Sequence, residues 1–77
     1  MAPTVLRAGN LRFVIYLRDH EPPHIHVYGP RAEAKFVLAG QECIYSRGFS
    51  AKAVREIASF LRGKEESLLE VWREYQE

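Results

Sequence analysis

The chain has one cysteine, Cys43, and no histidine outside a single seven-residue stretch. A lone cysteine excludes an intramolecular disulfide, so the chain is not a disulfide-stapled secreted scaffold, and an unpaired thiol fits a reducing cytoplasm. Cys43 itself reads as a small buried apolar residue rather than a nucleophile. No apolar run approaches the ~20 residues needed to cross a bilayer. The opening MAPTVLRAGN lacks the charged-then-apolar layout of a secretion signal, so a cytoplasmic protein with no membrane partner is expected. The formal net charge is +1, which gives no bulk attraction to nucleic acid. Glycine-rich phosphate loops, internal repeats, low-complexity tracts and linkers are all missing.

What is present fits one small domain, residues 1–77. A chain of this length buries about 60% of its unfolded surface, and its core rarely supplies more than ~3–5 kcal/mol. A metal, a partner or a second copy often makes up the shortfall. The apolar fraction of 47% and charged fraction of 27% are those of an ordinary globular domain.

Residues 3–7 (PTVLR) read as a strand, Gly9-Asn10 as a two-residue turn, and residues 11–18 (LRFVIYLR) as a β-branched and aromatic strand. That turn pairs Leu6 with Phe13 and Thr4 with Ile15. It puts Leu6, Leu11, Phe13, Ile15 and Leu17 on one face, and Arg12, Val14, Tyr16 and Arg18 on the other. Pro22-Pro23 has no N–H to donate and must be a stiff connection. Strand alternation resumes over 24–28 (HIHVY), turns at Gly29-Pro30, and returns over 32–38 (AEAKFVL). This turn centre sets Val27 opposite Ala32, His26 opposite Glu33 and His24 opposite Lys35. Ile25, Val27, Ala32, Ala34 and Phe36 then share an apolar face, while His24, His26, Glu33 and Lys35 share a polar one. A fifth short strand is expected over 41–45.

The periodicity then changes. Ser50 is a good N-cap behind the Gly48-Phe49 turn and staple. Val54, Ile57, Ala58 and Leu61 mark one face of a helix over 51–62. Gly63 ends it, and a second helix over 65–75 carries Leu68, Val71, Trp72 and Tyr75 on one stripe. Strands first and helices last predict an α+β fold: an antiparallel four- to five-stranded sheet with two C-terminal helices packed on its apolar face.

The stretch DHEPPHIHVY (19–28) holds all three histidines. Residues two apart on a strand project from the same face, so His24 and His26 stand together. Three chemistries are open. In metal-free RNA cleavage, His24, His26 and Glu33 supply acid and base, Arg18 and Lys35 hold phosphate, and Tyr16 stacks on a base. Alternatively His20, His24 and His26 ligate zinc, with Glu33, Asp19 or Glu21 as a further ligand or as an orienting partner. The plainest reading is a solvated or partner-facing strand with ordinary cross-strand pairs and no cofactor. Trp72 and Tyr75 read as packing residues or as anchors of a partner interface. Glu65, Glu66, Glu70, Glu74 and Glu77 read as a solvated helix face or a dock for a basic partner.

The segments PTVLR, RFVIYLRDHEPPHIHVYG, AEAKFVL, GFSAKAVREI and LLEVWREY, in this order, resemble a family of small prokaryotic proteins known as domain-of-unknown-function family 4160. The most specific segment, D-H-x-P-P-H-(I/V)-H-V, falls on Asp19, His20, Pro22, Pro23, His24, His26 and Val27. The resemblance implies no established catalytic residues. It implies one half of a compact two-gene module similar to toxin–antitoxin systems. In such a module this chain is the toxin-like effector and a small protein encoded nearby is its partner. RNA is the expected target of the effector. A non-catalytic antitoxin or adaptor that docks through a sheet edge and the Trp72/Tyr75 helix is the competing expectation.

Overall fold

A computed structural model of the protein describes residues 4–76. Five strands come first: β1 (Thr4–Ala8), β2 (Leu11–Val14), β3 (His24–Gly29), β4 (Ala32–Val37) and β5 (Cys43–Arg47). Two helices follow, α1 (Ala51–Arg62) and α2 (Glu65–Gln76). The strands form one antiparallel meander in the order β1-β2-β3-β4-β5. The fold is therefore the expected α+β arrangement. Pro3, the expected first residue of β1, and Glu77 lie outside the described residues.

One face of the sheet carries the core. Phe13, Ile25, Val27, Ala34 and Phe36 are fully buried there and pack with Ile57 and Leu61 of α1 and Leu68 and Trp72 of α2. The two helical stripes are those expected from periodicity, with Val54, Ala58, Val71 and Tyr75 half-buried around them. The Ser50 hydroxyl accepts the Ala53 N–H at 3.0 Å and caps α1. Cys43 is half-buried against the core, and its thiol donates to the Tyr45 carbonyl.

Three expectations are corrected. First, β2 ends at Val14 rather than continuing to residue 18. The end of α2 takes over the backbone bonds of the segment beyond it: Gln76 donates to the Tyr16 carbonyl and the Arg18 N–H donates to the Tyr75 carbonyl. Ile15 still reaches the core, but Leu17 is exposed. Second, β1 contains a register shift between Thr4 and Leu6. Leu6 pairs with Phe13 as expected, yet Thr4 pairs with Val14 instead of Ile15. Third, the β3–β4 turn is centred on Pro30-Arg31, with Arg31 at φ 59°, so Gly29 pairs with Ala32. His26 then lies opposite Lys35, and Glu33 lies opposite Tyr28. Each partner moves by two residues, which preserves the face on which every side chain projects.

Candidate functional site

The second face of the sheet points away from the core cluster. Its rungs can be followed strand by strand. Arg7, Arg12, Tyr28, Glu33 and Arg47 stand in line across all five strands. The neighbouring rung runs Val14, His26, Lys35 and Tyr45. His24 starts the strand one pleat further on, opposite Val37.

This face is only partly wet. Val14 is fully buried on it, and His24 and His26 are 4% and 8% exposed. The expectation of solvent-facing imidazoles is therefore corrected. The cover is the segment that leaves β2 and folds back over β3. It brings the Tyr16 ring edge-on to His26 at 4.6 Å, the Asp19 carboxylate between the histidines, and the Pro22 carbonyl onto His24. Gln76 holds this segment at two points, the Tyr16 carbonyl and the Asp19 N–H. The C-terminal turn of α2 thus positions the site. Pro22 enters through a cis Glu21–Pro22 peptide.

Asp19 is the point on which the three histidines converge. One carboxylate oxygen, Oδ1, lies 2.9 Å from His20 Nδ1. The other, Oδ2, lies 2.9 Å from His24 Nε2 and 3.9 Å from His26 Nε2. The ring centroids of His20 and His24 are 5.1 Å apart, and those of His24 and His26 are 5.2 Å apart. Burial pulls the Asp19 carboxyl upward, but the His20 backbone N–H and the His24 and His20 imidazoles outweigh it and hold it below the usual carboxylate range.

The two buried imidazoles differ. The His24 Nδ1–H donates to the Pro22 carbonyl at 2.8 Å. His24 Nε2 therefore faces a carboxylate oxygen, and a second ring proton or a bridging cation must lie between them. Both nitrogens of His26 are buried and lack a hydrogen-bond partner among the described residues. Burial, then the neighbouring His24 and Lys35, push the His26 pKa down against the weaker opposing pull of Asp19 and Glu33, so His26 is neutral near pH 7. Its ring stacks on Tyr28 at 6.2 Å. The Tyr28 hydroxyl shares a 2.7 Å hydrogen bond with that of Tyr16, and burial followed by this bond raises its pKa.

The remaining candidates separate. Glu33 lies on the rung beyond His26 and accepts from Arg47 at 3.4 Å. Lys35 sits beside His26 with its ammonium 5.8 Å from the Tyr45 ring centroid. Arg18 is exposed and contributes its backbone N–H to α2. His20 is 81% exposed at its side chain and steadies Asp19 from outside. Trp72 is 2% exposed and packs its ring 5.2 Å from His24, which makes it a wall between core and histidines rather than a surface anchor. Tyr75 is half-buried.

A family model described as Domain of unknown function (DUF4160) matches residues 10–73, a span that includes Asp19, all three histidines and Trp72. The chain belongs to the DUF4160 family. No curated protein and no solved structure matches it.

Sequence reasoning about this DUF4160 chain put His24 and His26 on one face, as observed, but gave them the wrong cross-strand partners and treated Asp19 only as a substitute ligand or orienting partner. It missed Tyr28, although Tyr28 continues the period of two from His24 and His26. It missed the Arg7–Arg12–Arg47 line, which requires register across five strands. Nothing in the sequence pointed to Gln76.

Proposed function

We propose that the second face of the sheet is a platform for single-stranded RNA, and that the protein is the effector of a two-gene, toxin–antitoxin-like module acting in the cytoplasm. The observation that carries this reading is the line Arg7–Arg12–Tyr28–Glu33–Arg47 with Lys35 and Tyr45 on the next rung. Four cations and one carboxylate occupy that patch, although the whole chain is only +1. Cations beside tyrosines suit an RNA strand: the cations neutralise phosphates and the rings stack on bases. The Arg12 guanidinium already stands 5.0 Å from the Tyr28 ring centroid.

Metal-free acid–base cleavage by His24 and His26 is supported less well. His24 has both nitrogens engaged, and both nitrogens of His26 are shut away from solvent. The effector reading therefore rests on the platform. The test is binding of a labelled single-stranded RNA against salt concentration. Neutralisation of four phosphates predicts a slope of log affinity on log salt of about −2.8. The triple variant Arg12→Ala, Lys35→Ala, Arg47→Ala should flatten that slope and relieve the growth arrest expected on induction without a partner. Harmless induction of the unaltered protein would count against the effector role.

A second reading draws on the edge strand β5, where Ile44 and Tyr45 are 52% and 42% exposed. An edge with an exposed apolar side chain is suited to strand addition by the small neighbouring protein. Copurification of that protein without RNA binding in either state would favour an adaptor.

A further inference from the structure

We propose that Asp19, His24 and His26 form a mononuclear site for a zinc-class divalent transition-metal ion, with at least one coordination position left for water or substrate. His24 Nε2, His26 Nε2 and a carboxylate oxygen of Asp19 are the three ligands. One donor atom from each residue lies within 4.8 Å of the others. Donors around a tetrahedral zinc with bonds of about 2.0–2.1 Å stand roughly 3.3 Å apart. The observed 2.9 Å and 3.9 Å from Asp19 Oδ2 to the two imidazoles bracket that spacing.

Three features of the cluster suit an ion, and the last of them, the unpartnered His26, separates it from a purely hydrogen-bonded cluster. His24 donates its Nδ1–H to the Pro22 carbonyl. Metal-bound histidines are commonly oriented in this way, and the bond aims Nε2 at the centre. That Nε2 meets a carboxylate oxygen at 2.9 Å, a contact that calls for positive charge between them. His26 is more than nine-tenths buried, its Nε2 is directed toward the same oxygen, and neither of its nitrogens has a partner among the described residues. An orphaned buried imidazole costs folding free energy unless something binds it. Two imidazoles and a carboxylate suit zinc or ferrous iron better than magnesium or calcium, which take oxygen ligands.

His20 has a different part from the one its place in the motif implies. It bonds the other carboxylate oxygen of Asp19 from the solvent side, so it is a positioning residue. The class of substrate such an ion would serve, a phosphodiester of bound RNA, rests on the proposed function; the binding of the ion does not.

The test uses the full chain, purified without a polyhistidine tag, stripped with a chelator and titrated with Co2+ alone. One equivalent should bind, produce visible ligand-field absorption, quench the single tryptophan, Trp72, beside His24, and be displaced by Zn2+. Asp19→Asn, which keeps shape, should weaken Co2+ at least about ten-fold, and His26→Phe should abolish the absorption. Glu66→Gln, on the exposed first turn of α2, should leave both signals unchanged. Binding below one equivalent in the unaltered chain would overturn the site. So would a full signal in His26→Phe or Asp19→Asn. Loss of RNA binding with Co2+ binding intact would overturn the platform and leave the ion site standing.

Discussion

Replacing His26 with phenylalanine should stabilise the ion-free protein. A neutral imidazole has one N–H donor and one acceptor nitrogen, and in His26 both are buried without partners among the described residues. Each unsatisfied buried group costs about 1–3 kcal/mol. Phenylalanine removes both and keeps the edge contact with Tyr16 and the stack on Tyr28. It is slightly larger, and overpacking in a filled site costs about 1–3 kcal/mol. Taking midpoints, about 4 kcal/mol regained against about 2 lost, the expected balance is a gain of about 2 kcal/mol, which for a domain of this size raises Tm by roughly 8 °C or more. The assay is urea unfolding of chelator-treated protein followed by Trp72 fluorescence. His26→Leu, which avoids the added bulk, is the companion variant. Destabilisation of both variants by 1 kcal/mol or more, on the scale of a single buried hydrogen bond, would refute the claim that His26 is orphaned. Buried polar groups that cost stability are commonly retained where function needs them.

The ion-free protein should lose stability as pH falls below about 6.5, the ordinary histidine value. The folded state holds the His26 pKa down by burial and by the facing His24 and Lys35, against the pull of Asp19 and Glu33. The unfolded chain therefore binds the proton first, and the contribution present above pH 6.5 is lost on acidification. A second loss should appear below about pH 4, where Asp19, held low in the folded state, is protonated. Urea midpoints across pH should show the upper step in the native chain and not in His26→Phe. Gly48→Ala should be strongly destabilising: Gly48 has φ 86°, and an added Cβ would stand 2.4 Å from the Arg31 carbonyl oxygen. A thermal melt within 2 °C of the unaltered protein, less than a 1 kcal/mol change would give, would contradict that.

Most of the fold was legible because burial imposes periodicity. The stripes Val54–Ile57–Ala58–Leu61 and Leu68–Val71–Trp72–Tyr75 and the alternation Ala32–Ala34–Phe36 each point at one core. The turn at Gly29-Pro30-Arg31 was placed one residue early by taking Gly29-Pro30 as its centre; proline favours the first central position, which puts the centre at Pro30-Arg31 as observed. The resulting error changed His26's partner from Glu33 to Lys35 but not its face. The burial of His24 and His26 was not legible. It depends on β2 surrendering its backbone bonds after Val14 to the far end of the chain, through Gln76 and the Tyr75 carbonyl. No local pattern encodes a contact sixty residues away. Asp19 was visible as a residue but not as a centre, because its place over the histidines is set by that same distant tether.

The most direct measurement is anomalous X-ray diffraction at the zinc absorption edge, on crystals grown with one equivalent of Zn2+. A single strong peak is expected at about 2.0–2.2 Å from His24 Nε2, His26 Nε2 and a carboxylate oxygen of Asp19, with Nδ1 of His24 still bonded to the Pro22 carbonyl. Zinc found only on the exposed His20, or no peak while Asp19 and His24 remain directly hydrogen-bonded, would contradict it.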